Sequence, residues 1–206
     1  SPKQAELDEL RRRVSVLEAD VSAEVTGQPW APKGYYATYH ILAGIILGLF
    51  AASASLLFNV VGSVMVGKHP LELIRVYLTF PMGESALELT SGFVLAAGCC
   101  LYLGTGMIGG IPFHLILSRY FAQAGFGKRF AVATVLGIGI WLVNFYGFLY
   151  WAQPMLLEDG QRWIVDRVPW YVAALTHLVF GWTMLMVDQW GRFVPHESTP
   201  VEGAAG

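Results

Sequence analysis

Three histidines, His40, His114 and His177, fall inside stretches that carry no charged side chain, and neutral imidazole is a common ligand for metals and for haem iron. His40 opens the first stretch and His114 lies near the end of the second. An up-and-down path through a membrane therefore sets both toward the same face, at a depth where the rings can meet. Arg119, just beyond His114, is a candidate partner for a haem propionate, and the set follows the logic of a bis-histidine b-type haem held between helices. Against this reading, only one such pair exists at matching depth, and His177 lies nearer the middle of its span with no histidine expected opposite. Histidines near an interface more often bond lipid headgroups, water or carbonyls. His69 and His196 fall outside the spans.

Other chemistries have less to stand on. The chain has no HExxH, no GxSxG and no phosphate loop, and "GTGMIGG" is not followed by a Lys and has no strand-turn-helix context. Asp, Glu, Lys and Arg are missing from the spans, where a transporter would ordinarily place ionisable groups, and no repeat relates the two helix pairs. No catalytic residue, metal site or nucleic-acid surface is expected; catalytic groups from a partner chain are the alternative, as are haem b, or pigment or lipid at the periphery.

The elements that must position these residues follow from composition. With 55% hydrophobic and 14% charged residues and a mean hydropathy of +0.51, the chain departs from soluble domains, in which about 25% of residues are charged. Gly34 to Gly67, Leu89 to Ser118, Phe130 to Gln153 and Val168 to Val187 are free of charge, and each reaches the roughly 20 residues needed to cross a hydrocarbon core of about 30 Å. The expected class is all-α, a polytopic protein with four transmembrane helices. The first two runs, of 34 and 30 residues, exceed that minimum, so their helices tilt, break or project beyond the bilayer. Trp30, Tyr35, Tyr36, Tyr39, Tyr150, Trp151, Trp163, Trp170, Tyr171 and Trp190 gather near the span ends as an aromatic belt.

Lys and Arg set the orientation. Lys3, Arg11, Arg12, Arg13, Lys33, Arg119, Lys128, Arg129 and Arg192 fall on one side, against Lys68, Arg75, Arg162 and Arg167 on the other, which predicts both termini in the cytoplasm. The polar opening predicts no cleavable signal peptide. Cys99 and Cys100, adjacent within a span, read as small packing residues. The formal net charge of −2 gives no reason to invoke nucleic acid.

Four segments follow: an amphipathic helix over residues 1–25, a linker over 26–34, the membrane body over 35–192 and a flexible tail over 193–206. Leu7, Leu10, Val14, Leu17 and Val21 repeat at alternating spacings of three and four, a coiled-coil-like seam that docks on another subunit, pairs with a second copy, or lies on its own bilayer surface. In the first loop, Pro70, the Glu72/Arg75 pair and the Pro81–Gly83 stop predict a short helix with Leu71, Ile74 and Leu78 on one face, at the interface or against a neighbour; an extended connection is the alternative. The third loop predicts a turn at "EDG" and re-entry through Trp163, Ile164 and Val168, with Pro169 opening the last helix.

"YLGTGMIGGIPFH", residues 102–114, concentrates glycines because close backbone contact, not the hydrophobic effect, joins helices in lipid. Gly44 and Gly48 in the first span and Gly106 and Gly110 in the second are the expected packing faces, with a kink at Pro112 and a stripe of Ala51, Ser55, Asn59 and Gly62. Asn59, Asn144 and Thr176 are expected to act as interhelical hydrogen-bonding groups. The functional expectation is a non-catalytic accessory subunit of a multisubunit bioenergetic complex, respiratory or photosynthetic, in a bacterial inner membrane. Its competitors are a small transporter or channel and a b-type haem electron carrier.

Overall fold

Glycines on two neighbouring helices stand backbone against backbone and set the register of the bundle. A Cβ on Gly48 of α2 (Ala37–Met65) would lie 2.5 Å from the carbonyl oxygen of Gly106 in α4 (Phe93–Tyr120), and one on Gly44 would lie 2.9 Å from the Ile111 Cα. Gly110 in turn meets the Gly44 carbonyl and the Gly48 backbone. Where the solvent is as apolar as the side chains, this proximity supplies the dispersion contacts that hold two helices together. Gly104 faces open space, so the glycines of the cluster differ in role. The helix runs unbroken through Pro112.

The computed structural model describes residues 2–26, 36–90, 92–156 and 160–193. Apart from Thr26, Gly160 and Phe193, the anticipated linker, the "EDG" turn and the tail lie outside the described residues. All described secondary structure is helical. Four helices are long and apolar enough to cross a membrane: Ala37–Met65, Phe93–Tyr120, Phe126–Leu156 and Trp170–Gly191, of 29, 28, 31 and 22 residues. At 1.5 Å per residue the first reaches about 44 Å, well beyond a hydrocarbon core.

The third and fourth spans repeat the glycine device. Gly137 of α5 (Phe126–Leu142) approaches the His177 carbonyl of α8 (Trp170–Val187), a Cβ there coming within 2.9 Å, and Gly181 approaches the Ala133 carbonyl equally closely. Helices α2 and α8 then join the two pairs through Leu47, Ala51, Met184 and Leu185, all buried. Across the bundle the order is α4, α2, α8, α5. The outer helices α4 and α5 touch only sparsely, so the row does not close into a tight ring.

After α5 the third span widens into a π-helix at Val143–Leu149 before resuming as α6 (Tyr150–Leu156). π segments inside α-helices occur frequently at functional sites. Two short helices cover this end of the bundle. In α3 (Glu72–Met82), Ile74 and Leu78 are buried against Ala86 and Leu95, and Gly98 of α4 makes room for them. Arg75 reaches Glu72 at 3.1 Å on the outer side. Gly83, at φ +64° and ψ −149°, takes a positive-φ conformation essentially confined to glycine and ends the helix after Met82. The second short helix, α7 (Trp163–Arg167), buries Ile164; Pro169 precedes the first residue of α8.

The membrane body, Tyr36–Phe193, is one compact unit, and α1 (Pro2–Thr26) belongs to another. Within α1, Glu9 bonds Arg12 and Arg13, each at 3.1 Å, and these guanidinium groups hold its carboxyl below the ordinary carboxylate range. Leu7, Leu10, Val14 and Leu17 are 48–62% exposed; the Val21 side chain lies outside the described set.

Candidate functional site

One four-residue step beyond the glycine contacts, the same register brings His40 against His114. Gly44 and Gly48 extend backward along α2 to His40, and Gly106 and Gly110 extend forward along α4 to His114. His40 Nδ1 and His114 Nε2 are 3.1 Å apart. His114 is wholly buried, and its Nδ1–H donates to Asp188 Oδ1 at 2.8 Å. In the neutral ring this leaves Nε2 as the acceptor for the His40 Nδ1–H. The Gly191 carbonyl lies 3.1 Å from the same Nε2 and receives its proton when the ring is charged. Gly191 can come this close because a Cβ there would sit 2.8 Å from His114 Cε1 and equally near Leu47 Cδ1.

Asp188, also wholly buried, is the anchor. Its other oxygen accepts from Arg129 Nη2 at the start of α5, and Arg192 Nε lies 3.5 Å from that same oxygen. A buried carboxylate costs several kcal/mol in lost hydration, and opposite charge with hydrogen bonds on both oxygens offsets that cost. His40, His114, Arg129 and Asp188 come from α2, α4, α5 and the turn closing α8. One ionic knot therefore ties all four spans at a single end.

The His40–His114 pair does not fit a haem between its rings. Axial ligation places the two coordinating nitrogens on opposite sides of an iron, with the macrocycle between the imidazoles. Here the nitrogens meet directly, the ring centroids are 5.2 Å apart, and both His114 nitrogens have partners from the chain itself. Arg119, the expected propionate partner, lies over the Tyr120 ring at 5.9 Å. Among the described residues no group of three His, Cys, Asp or Glu side chains is placed to hold a metal.

The opposite half of the bundle is chemically different. Between α4 and α5 lies a cavity of about 500 Å³, backed by α2 and α8 and closed at the loop end by α3 and α7. No charged residue lines it. His177 and Asn144 face each other on its wall, Nε2 to Nδ2 at 3.5 Å, with Asn144 carried by the π-helix. Thr176 reaches Asn59 from α8 to α2: Asn59 Nδ2 donates to its hydroxyl at 2.9 Å and to the Ser55 carbonyl at 2.8 Å. Below the cavity, buried Gln153 donates to Thr79 Oγ1 at 3.0 Å and accepts the Ile164 N–H at 2.9 Å, holding α6, α3 and α7 together.

Asp188, Arg129 and Gln153 escaped the sequence reading because they stand at the edges of the charge-free runs: Asp188 and Arg129 are the residues that end them, and Gln153 closes the third. A shared edge position was the available signal, since the spans alternate in direction and four of their ends must converge. His69 bonds its own loop, donating from Nε2 to the Thr90 carbonyl and accepting the Leu71 N–H, both at 3.1 Å. Cys99 is half-buried and Cys100 is exposed, and both are free thiols. Comparison of the chain with models of known families, with curated proteins and with solved structures finds no match.

Proposed function

We infer that this chain is a non-catalytic accessory subunit of a multisubunit energy-transducing complex, respiratory or photosynthetic, in a bacterial inner membrane. The observation that carries the reading is the seam of α1. Leu7, Leu10, Val14 and Leu17 are about half exposed or more, on a helix that also exposes Val16 and pairs Glu9 with Arg12 and Arg13. A solvated helix of this length is marginal alone, and a narrow apolar stripe at heptad spacing is suited to a partner helix.

Two further features agree with it. The strongest polar assembly in the membrane body is consumed in holding spans together, with its charges paired inside the protein. A transport route would have to join the ionic knot to the cavity, yet Leu47, Phe113 and Met184, all buried, stand between them along α2, α4 and α8. In this reading both termini face the cytoplasm, following the excess of Lys and Arg on that side, and α3 lies in the opposite interface.

The test is extraction of the tagged full chain from its own membrane in mild detergent, followed by native mass spectrometry. Partners in fixed stoichiometry are expected, and deletion of residues 1–25 reduces their retention while the membrane body stays folded. Recovery of the intact chain only as a free monomer contradicts the reading, and recovery as a homodimer alone assigns the seam to a second copy instead.

A further inference from the structure

We propose that the cavity between α4 and α5 binds an uncharged, single-chain lipid bearing a hydroxyl group, taken up sideways from the bilayer, with His177 and Asn144 receiving the hydroxyl. At about 500 Å³ the space lies within the range of small-molecule sites, largely apolar with a few convergent polar groups. It has room for one chain of terpenoid-alcohol size and not for a two-chain phospholipid. The proposal stands apart from the accessory role and does not depend on it.

The hydrogen-bonding capacity of the wall selects the head. Ser55 Oγ–H donates to the Ala52 carbonyl at 3.0 Å, so the proton in its 2.9 Å contact with Tyr102 comes from the tyrosine. Thr105 donates to the Leu101 carbonyl at 3.0 Å, so Tyr77 is the donor in their 2.6 Å contact. His177 Nδ1–H donates to the Ala173 carbonyl at 2.8 Å, which leaves Nε2 with a lone pair on the cavity side. The Asn144 amide stands 3.5 Å from that lone pair, at the outer limit of a hydrogen bond. The hydroxyl donors are thus spent within the wall, and acceptors remain.

An acceptor-rich, charge-free wall favours a neutral donor. An anionic head would find no cation among the lining residues and a cationic head no carboxylate, so either would lose hydration without compensation. A hydroxyl fits: it donates to His177 Nε2 and accepts an Asn144 N–H. The entry is lateral because α4 and α5 touch so little there and because Leu101, Thr105 and Phe148, which line the cavity, are exposed on the bundle surface. The chain of the ligand leaves by that gap into lipid.

The experiment uses the full chain in phosphatidylcholine nanodiscs with three radiolabelled probes: farnesol, its hydrocarbon counterpart farnesane, and palmitate. Farnesol is expected to saturate at one per chain and to bind about 5–30-fold more tightly than farnesane, as one or two hydrogen bonds of about 1 kcal/mol each dictate. Palmitate does not compete. His177→Phe and, separately, Asn144→Leu reduce the preference for the alcohol while leaving farnesane affinity in place; Leu101→Trp, at the mouth, weakens both. Equal binding of farnesol and farnesane, non-saturable uptake, tighter binding of palmitate, a preference that survives both polar substitutions, or indifference to Leu101→Trp each overturns the proposal.

Discussion

The two halves of the membrane body solve the problem of polar groups in lipid in opposite ways. At one end, Arg129 and Asp188 bring charge into the protein and pair it at once, with His114 bonded to the same carboxylate, His40 bonded to His114, and His114 and Asp188 wholly buried. In the other half, His177 and Asn144 are neutral, loosely engaged with each other at 3.5 Å, and beside a cavity. Histidine alone therefore does not announce function. The partner set distinguishes a structural imidazole from one that is available to a ligand.

That contrast predicts a gradient of stability effects. The largest belongs to the ionic end. Arg129→Leu leaves Asp188 buried with only Arg192 and His114 near it, and should cost about 3–5 kcal/mol, read from unfolding of the full chain in mixed micelles. The double substitution Arg129→Leu, Asp188→Leu should recover much of that loss, because it removes the stranded charge together with its partner. A double variant no more stable than the single one would show that the knot is not acting as a charge pair.

Next come the glycine contacts. Gly48→Ala forces a methyl group against the Gly106 carbonyl, and spreading α2 from α4 should cost about 1–3 kcal/mol. Because the same register carries His40 to His114, the variant should also loosen the ionic end, visible as a changed His40–His114 coupling by nitrogen NMR. Asn59→Leu, which breaks the clasp to Thr176, should cost only about 0.6 kcal/mol, the average for hydrogen bonds between helices in membranes. Asn144→Leu should be the mildest, below about 0.5 kcal/mol, since its one side-chain hydrogen bond, to His177, is long. If Asn144→Leu destabilised the chain as much as Arg129→Leu, the two halves would not differ as described.

The sequence contained the glycine spacing and the depth of His40 and His114, because both are periodic along single helices and need no knowledge of the partner. It also contained the four spans, since a long charge-free run has few alternatives in water. Asp188 and Arg129 were hidden by the criterion that found the spans: a run is ended by its first charge, and that charge is then assigned to the surface. Gly137 and Gly181 were less conspicuous than the clustered glycines of α4, although a Cβ on either would come within 2.9 Å of a partner carbonyl. The cavity was not legible at all. It results from the open order α4, α2, α8, α5 and from the π-helix at Val143–Leu149, and neither follows from a pattern within one helix.

Hydrogen–deuterium exchange of the full chain in nanodiscs tests most directly whether one half is locked and the other open. The segments around residues 40–48, 110–118 and 184–191 should exchange most slowly, and 143–149 faster, with farnesol slowing exchange at 143–149 and 173–180 while leaving the ionic end unchanged. Faster exchange at the ionic end than along the π-helix, or a farnesol effect confined to the His40–His114 end, would contradict the division.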